Sequence, residues 1–177
     1  MMINARAQKN TIEAVANAIR HAISPIDVAS YEIARYCTGV IVNMANEMNI
    51  QVGYIISRAT LSTDYKMSST EYINGDGKKC ELSSLTFGKK LEELDKIAEK
   101  VGVIAKPKGK LSILRNLPAH GVIAITDDGR AVLWDKYDIN AAFDNDMEKI
   151  LSEFINEAEI LEQFCKETIA KTDASLK

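Results

Sequence analysis

The chain holds 177 residues, of which 46% are hydrophobic and 27% charged, with three prolines and a net charge of −3. A chain of this size buries roughly 70% of its unfolded surface on folding, enough to hold one domain without disulfides or metals. The composition excludes collagen-like and disordered classes, and no apolar run approaches the ~20 residues that span a membrane.

Met1-Met2-Ile3-Asn4-Ala5-Arg6 lacks the apolar core and cleavage site of a signal peptide. Cys37, Cys80 and Cys165 are odd in number and far apart, a poor disulfide framework. The expectation is a cytoplasmic protein of a bacterium or a phage, with no membrane partner.

In chain order, Ile12, Ala16, Ile19 and Ile23 recur at steps of four and three and predict a helix over residues 5–23. Ser24-Pro25-Ile26-Asp27 is a helix start signal, with a capping Ser, a first-turn Pro and an early acid. The second helix runs to about Asn49 on the stripe Ile33, Cys37, Val40, Met44 and Met48. Gln51 to Ile56 reads as a strand, and residues 57–70 as a long Ser/Thr-rich loop. Asn74-Gly75-Asp76-Gly77 is hairpin turn chemistry, because these residues tolerate positive φ.

A third helix over residues 86–101 carries Phe87, Leu91, Leu94, Ala98 and Val101, and Gly102 suits its left-handed cap with Val103 packing back. Lys106-Pro107-Lys108-Gly109-Lys110 reads as a basic turn, and Leu111 to Leu114 as a short strand. Val122 to Ile125 and Arg130 to Trp134 flank Asp127-Asp128-Gly129 in the clearest hairpin of the chain. A fourth helix begins between Asn140 and Asp146 and reaches Lys171, on Met147, Leu151, Phe154, Ala158, Leu161 and Cys165. Its ~30 residues span about 45 Å at ~1.5 Å each, which calls for neighbouring helices or a second subunit as cover. Residues 172–177 show no apolar pattern and are expected to fray.

The predicted fold is therefore α+β, in one domain over residues 1–171. A layer of three long amphipathic helices packs with a small, mainly antiparallel sheet drawn from residues 50–56, 70–82 and 111–135. One further helix lies beside the sheet.

No catalytic constellation, cofactor motif or metal-ligand spacing emerges. His21 adjoins an apolar helix face and is a neighbour of the core. Cys37 and Cys165 fall on apolar stripes, while Cys80 beside Lys78 and Lys79 is a strand residue. Gly109-Lys110 lacks the Ser/Thr and the earlier glycine of a phosphate loop. Asp144, Asp146 and Glu148 suit a helix start, where the dipole favours acids.

Charge is distributed unevenly. Between Lys78 and Arg115 ten Lys and Arg stand against five Asp and Glu; between Asp127 and Glu167 four stand against twelve. Mutual attraction of the two halves accounts for this, and so do separate binding faces.

Three functional expectations follow. The first is a non-enzymatic accessory or regulatory protein that binds another macromolecule, preferably a protein. Its surface would be the acidic outer face of the last helix, Asp146, Glu153, Glu157 and Glu162, or the loop of residues 57–70; self-association is the companion expectation. The second is a nucleic-acid module using Lys89, Lys90, Lys106, Lys108, Lys110 and Arg115, whose order of helix, basic loop and hairpin resembles that of winged helices. The third is a small-ligand binder or enzyme with a pocket near His120 and Trp134.

Overall fold

The four-and-three spacing that places Ile12 and Ala16 on one side of a helix does so in the first element, α1, Ala5–Ala22. The computed structural model describes residues 5–24, 26–61, 70–104, 109–134 and 146–175, the side chains of Arg6 and Trp134 excepted. The fold is α+β. Among the described residues, α2 (Ile26–Leu61), β1 (Glu71–Ile73), β2 (Lys79–Glu81), α3 (Phe87–Lys100), α4 (Gly109–His120), β3 (Val122–Ile125), β4 (Ala131–Trp134) and α5 (Met147–Ser175) follow α1, with a 3-10 turn at Leu82–Ser84. The start signal expected at Pro25 lies outside the described residues.

Two predicted strands are helices. Residues 50–56 belong to α2, which runs 36 residues without a break. Val52, Gly53, Ile55, Ile56 and Ser57 are all buried. A helix covered around most of its girth loses its apolar stripe, and a short apolar run then mimics a strand. Residues 111–114 open α4, where Leu111, Leu114 and Pro118 are buried at steps of three and four. The three-part sheet is accordingly two separate antiparallel pairs, β1 with β2 and β3 with β4. Of the expected loop over residues 57–70, the first five residues are the end of α2, and residues 62–69 lie outside the described set.

The described residues fall into two compact units, each drawn from separate stretches of chain. One holds residues 46–61, 70–104, 109 and 160–175. Its buried residues include Val52 and Ile56 of α2, Leu91 and Leu94 of α3, and Leu161 and Phe164 of α5. Thr60 Oγ1, near the end of α2, accepts from the Ile73 amide at 3.1 Å and so ties the helix to the first hairpin. Asn74 Oδ1 accepts from the amides of Asp76 and Lys78, at 3.1 and 2.9 Å, which closes that hairpin.

Helix α3 starts on Thr86, whose hydroxyl accepts from the Lys89 amide, and ends on Gly102 at φ 73°. The Val103 amide donates to Ala98 O and the Gly102 amide to Glu99 O, the paired bonds of a Schellman end. Helix α5 runs past Lys171, the end expected from its spacing. The helix continues to Ser175, Thr172 is buried, and Arg58 Nε donates to Asp173 Oδ1 at 2.8 Å.

The other unit holds residues 5–24, 26–45, 110–134 and 146–159. Its core includes Ile12 and Ala16 of α1, Ile33, Cys37 and Ile41 of α2, Leu111 of α4, Leu133 of β4, and Phe154 and Ile155 of α5. The β3–β4 pair turns through Gly129 at φ 80°, the Gly129 amide donating to Thr126 O at 2.8 Å. Asp146 bridges to Val132 and begins α5.

Candidate functional site

A concavity lies in the second unit, between α1, the early turns of α2 and the start of α5. It encloses about 390 Å³, within the range of small-molecule sites. The apolar spacing of the three helices produces its floor: Ile12 and Ala16 from α1, Ile33 and Cys37 from α2, Leu151 and Ile155 from α5. The residues flanking those stripes produce its rim: Lys9, Glu13, Asn17 and Arg20 from α1, and Glu148 and Ser152 from α5. A second cavity of about 160 Å³ shares Arg20, Ile33, Cys37 and Glu148 with the first, and is otherwise lined by residues such as Ser30, Gly129 and Arg130.

Arg20 and Glu148 form an ion pair at this shared wall. Both charges suit their helix ends, Arg20 in the last turn of α1 and Glu148 in the first turn of α5. Arg20 Nη1 also donates to Asn17 Oδ1 at 3.3 Å. Burial pushes the Cys37 thiol up to about 11; Glu148 adds to the rise and Arg20 opposes it. The thiol is therefore protonated at neutral pH and a poor nucleophile.

The residues proposed from sequence fall in other places. Asp146 is the N-cap of α5: its Oδ1 accepts from the Lys149 amide at 3.0 Å and its O from the Ile150 amide at 2.9 Å. The carboxylate thus serves the start of the helix. Glu153, Glu157 and Glu162 are half-buried, and Glu162 pairs with Lys166 at 2.8 Å. The outermost positions of the helix are Asn156, Glu159, Gln163 and Glu167.

In the basic set Lys90 needs correction. Only 8% of it is exposed, and a side-chain carbon on Gly53 would sit 3.7 Å from its Nζ. Burial lowers its pKa. It faces the interior of its unit and is closed to phosphates. Lys89 and Lys110 are exposed, and Arg115 donates to Asn116 Oδ1 at 3.0 Å. Lys106 and Lys108 lie outside the described residues. The segment after α3 is itself helical over Gly109–His120, so the order is helix, helix, hairpin.

His120 is exposed in the last turn of α4 and lines neither cavity. The side chain of Trp134 lies outside the described set. Among the described residues, no three His, Cys, Asp or Glu are placed to hold a metal ion, and no helix is long and apolar enough to cross a membrane.

Sequence reasoning passed over Arg20 and read Glu148 only as a helix-start acid; the two are 128 positions apart. Each is a charged residue at the edge of an apolar stripe, a signal many surface residues share. No protein-family model, no curated protein and no solved structure matches this chain.

Proposed function

We propose that the protein is a non-enzymatic, cytoplasmic accessory or regulatory factor that docks another protein on the first turns of α2 and the adjoining β3–β4 turn. One observation carries this reading: large apolar side chains stand exposed there on a helix. Ile26 is 74% exposed, Val28 44% and Tyr31 41%. Ile26 Cγ2 lies 3.6 Å from the position of a side-chain carbon on Gly129, so the helix start and the hairpin turn adjoin.

Val28, Tyr31 and Arg35 follow at helical steps of three and four on one face of α2, with Arg35 paired to Glu32 at 3.0 Å. Tyrosine and arginine are the residue types that most often anchor protein interfaces. Full burial of an isoleucine contributes about 1.5–3 kcal/mol, which gives a partner reason to cover Ile26. The non-enzymatic part of the reading is supported by the protonated, buried Cys37 and by the exposed positions of His21 and His120 on separate helices.

The test is quantitative co-purification of the full chain against Ile26→Asp and Tyr31→Ala, with circular dichroism to verify folding. A protein retained by the parent chain and lost from both variants supports the reading. Identical recovery from all three ends it. Self-association that both variants abolish in light scattering identifies the partner as a second copy.

A further inference from the structure

We propose that Asn74-Gly75 is a self-modifying site, at which the Gly75 nitrogen attacks the Asn74 side-chain amide while the amides of Asp76 and Lys78 stabilise the charge that develops on its oxygen. The reactants are the chain itself and water. This inference does not depend on the docking surface at Ile26 and Tyr31.

The sequence supplies electrophile and nucleophile. Asn74-Gly75 is the only Asn-Gly pair in the chain. Attack on an asparagine Cγ by the next main-chain nitrogen closes a small ring, so the backbone itself holds the two groups together. A side chain on the following residue crowds that approach, and glycine has none. Gly75 is exposed, and a side-chain carbon there would meet nothing within 4 Å. Among the described residues its N–H donates to no partner, so water can reach the proton that must leave.

The hairpin supplies the stabilising donors. Asn74 Oδ1 accepts from the Asp76 amide at 3.1 Å and from the Lys78 amide at 2.9 Å. As the Gly75 nitrogen bonds to Cγ, the carbonyl electron pair moves onto that oxygen. Two backbone N–H groups at these distances are the arrangement that stabilises an oxyanion in acyl transfer. The turn holds them in place: the Asn74 amide donates to Lys78 O at 2.9 Å and the Gly77 amide to Asn74 O at 3.0 Å. The pairing of Ile73 with Lys79 fixes the two ends of the turn.

The step is redox-neutral. The Gly75 N–H bond breaks and the N–Cγ bond forms. The bond from Cγ to the side-chain nitrogen then breaks, and that nitrogen leaves as ammonia with the proton given up by Gly75. Water opens the ring at either carbonyl and leaves an aspartyl or an isoaspartyl linkage. The aspartyl product gains a negative charge and keeps both donors. The isoaspartyl product adds a carbon to the main chain beside Ile73, whose amide donates to Thr60 Oγ1, and so loosens the tie between this hairpin and α2.

The experiment ages the full chain at neutral pH, folded and in urea, and reads conversion at position 74 by peptide mass spectrometry. The folded parent is expected to convert there ahead of its other asparagines. Gly75→Ala keeps both donors and crowds the nucleophile, and should slow conversion by about tenfold or more, folded or unfolded. Asp76→Pro removes one donor and keeps the Asn-Gly pair; in the folded chain it should slow conversion by about threefold to tenfold, less than in a water-excluded site. In urea that second effect should vanish, because the donors converge only in the hairpin. Circular dichroism verifies the fold of each variant. An intact Asn74 in the aged parent overturns the proposal. So does a folded Asp76→Pro that converts at the parent rate, or one slowed equally in urea. The parent alone gives an independent reading: slower conversion folded than in urea means that the hairpin protects the amide, and ends the proposal.

Discussion

Lys171 Nζ donates to the main-chain oxygen of Gly102 at 2.6 Å, so the last turns of α5 hold the carbonyl that follows α3. Gly102 is left-handed at φ 73°, a conformation L side chains rarely adopt. Gly102→Ala should therefore destabilise the protein by about 1–2 kcal/mol. Lys171→Met should lose less, about 0.3–1 kcal/mol, because the lysine is exposed. Gly39 gives the opposite sign: it is mid-helix in α2 with nothing within 4 Å of a side-chain carbon. Gly39→Ala should add about 1 kcal/mol. Urea unfolding of the three variants checks the order.

Stability should fall in the alkaline range through Cys37. Its folded value of about 11 lies above the ordinary 9.0. Below pH 9 the thiol is protonated in both states and contributes no difference. Between pH 9 and 11 the unfolded chain releases the proton first, so stability falls as pH rises, by on the order of 2 kcal/mol in all. Tyr72, raised by its burial, steepens the same limb, and Lys90, lowered by its burial, opposes it. The difference between parent and Cys37→Ala isolates the thiol: the gap between their melting curves should narrow above pH 9. A constant gap contradicts the assignment.

Lys90→Met should stabilise the chain by about 1 kcal/mol at neutral pH, since burial of the ammonium is opposed by no described ion pair. The sign follows from protonation. Burial disfavours the charged amine in the folded state alone, so the unfolded chain holds the proton more tightly. As pH rises through the lowered folded value toward 10.5, the folded amine becomes neutral first, and the advantage of methionine shrinks. Parallel melts at pH 7 and pH 10 measure it. An advantage unchanged between the two would assign it to packing.

Asp173→Ala should weaken the protein by about 1 kcal/mol, because Arg58 donates to that carboxylate in a part-buried setting. A chain shortened after Lys171 should lose more, since Thr172 is also buried. Thermal denaturation of both variants tests whether these residues are a structural part of α5.

The features legible in the sequence were those fixed by local chemistry. Gly102 and Val103 make the helix end their residue types imply, Asn74 closes its turn, and Phe154, Ala158, Leu161 and Cys165 are buried as their spacing requires. Residues 50–56 were not legible, because Val52, Gly53, Ile55 and Ile56 are covered on several sides and leave no polar face to mark a period of 3.6. In α4 the buried Leu111, Leu114 and Pro118 did carry a helical spacing, but Gly109 and Pro118 read as punctuation that masked it. Asp146 was read as a helix-start acid, and its cap bond to the Lys149 amide agrees with that reading. The groove was illegible for another reason: Arg20 and Glu148 meet only through the packing of α1 and α5, and one sequence holds no trace of that pairing.

Both units draw on α5, residues 147–159 for one and 160–175 for the other. On the ribosome that helix emerges after every other described element. Until it does, Ile12 of α1 and Ile33 of α2 lack the neighbours Leu151 and Ile155. The nascent chain must therefore carry these greasy surfaces until α5 has formed, and a product stalled before that helix would leave both units open to chaperones and proteases alike.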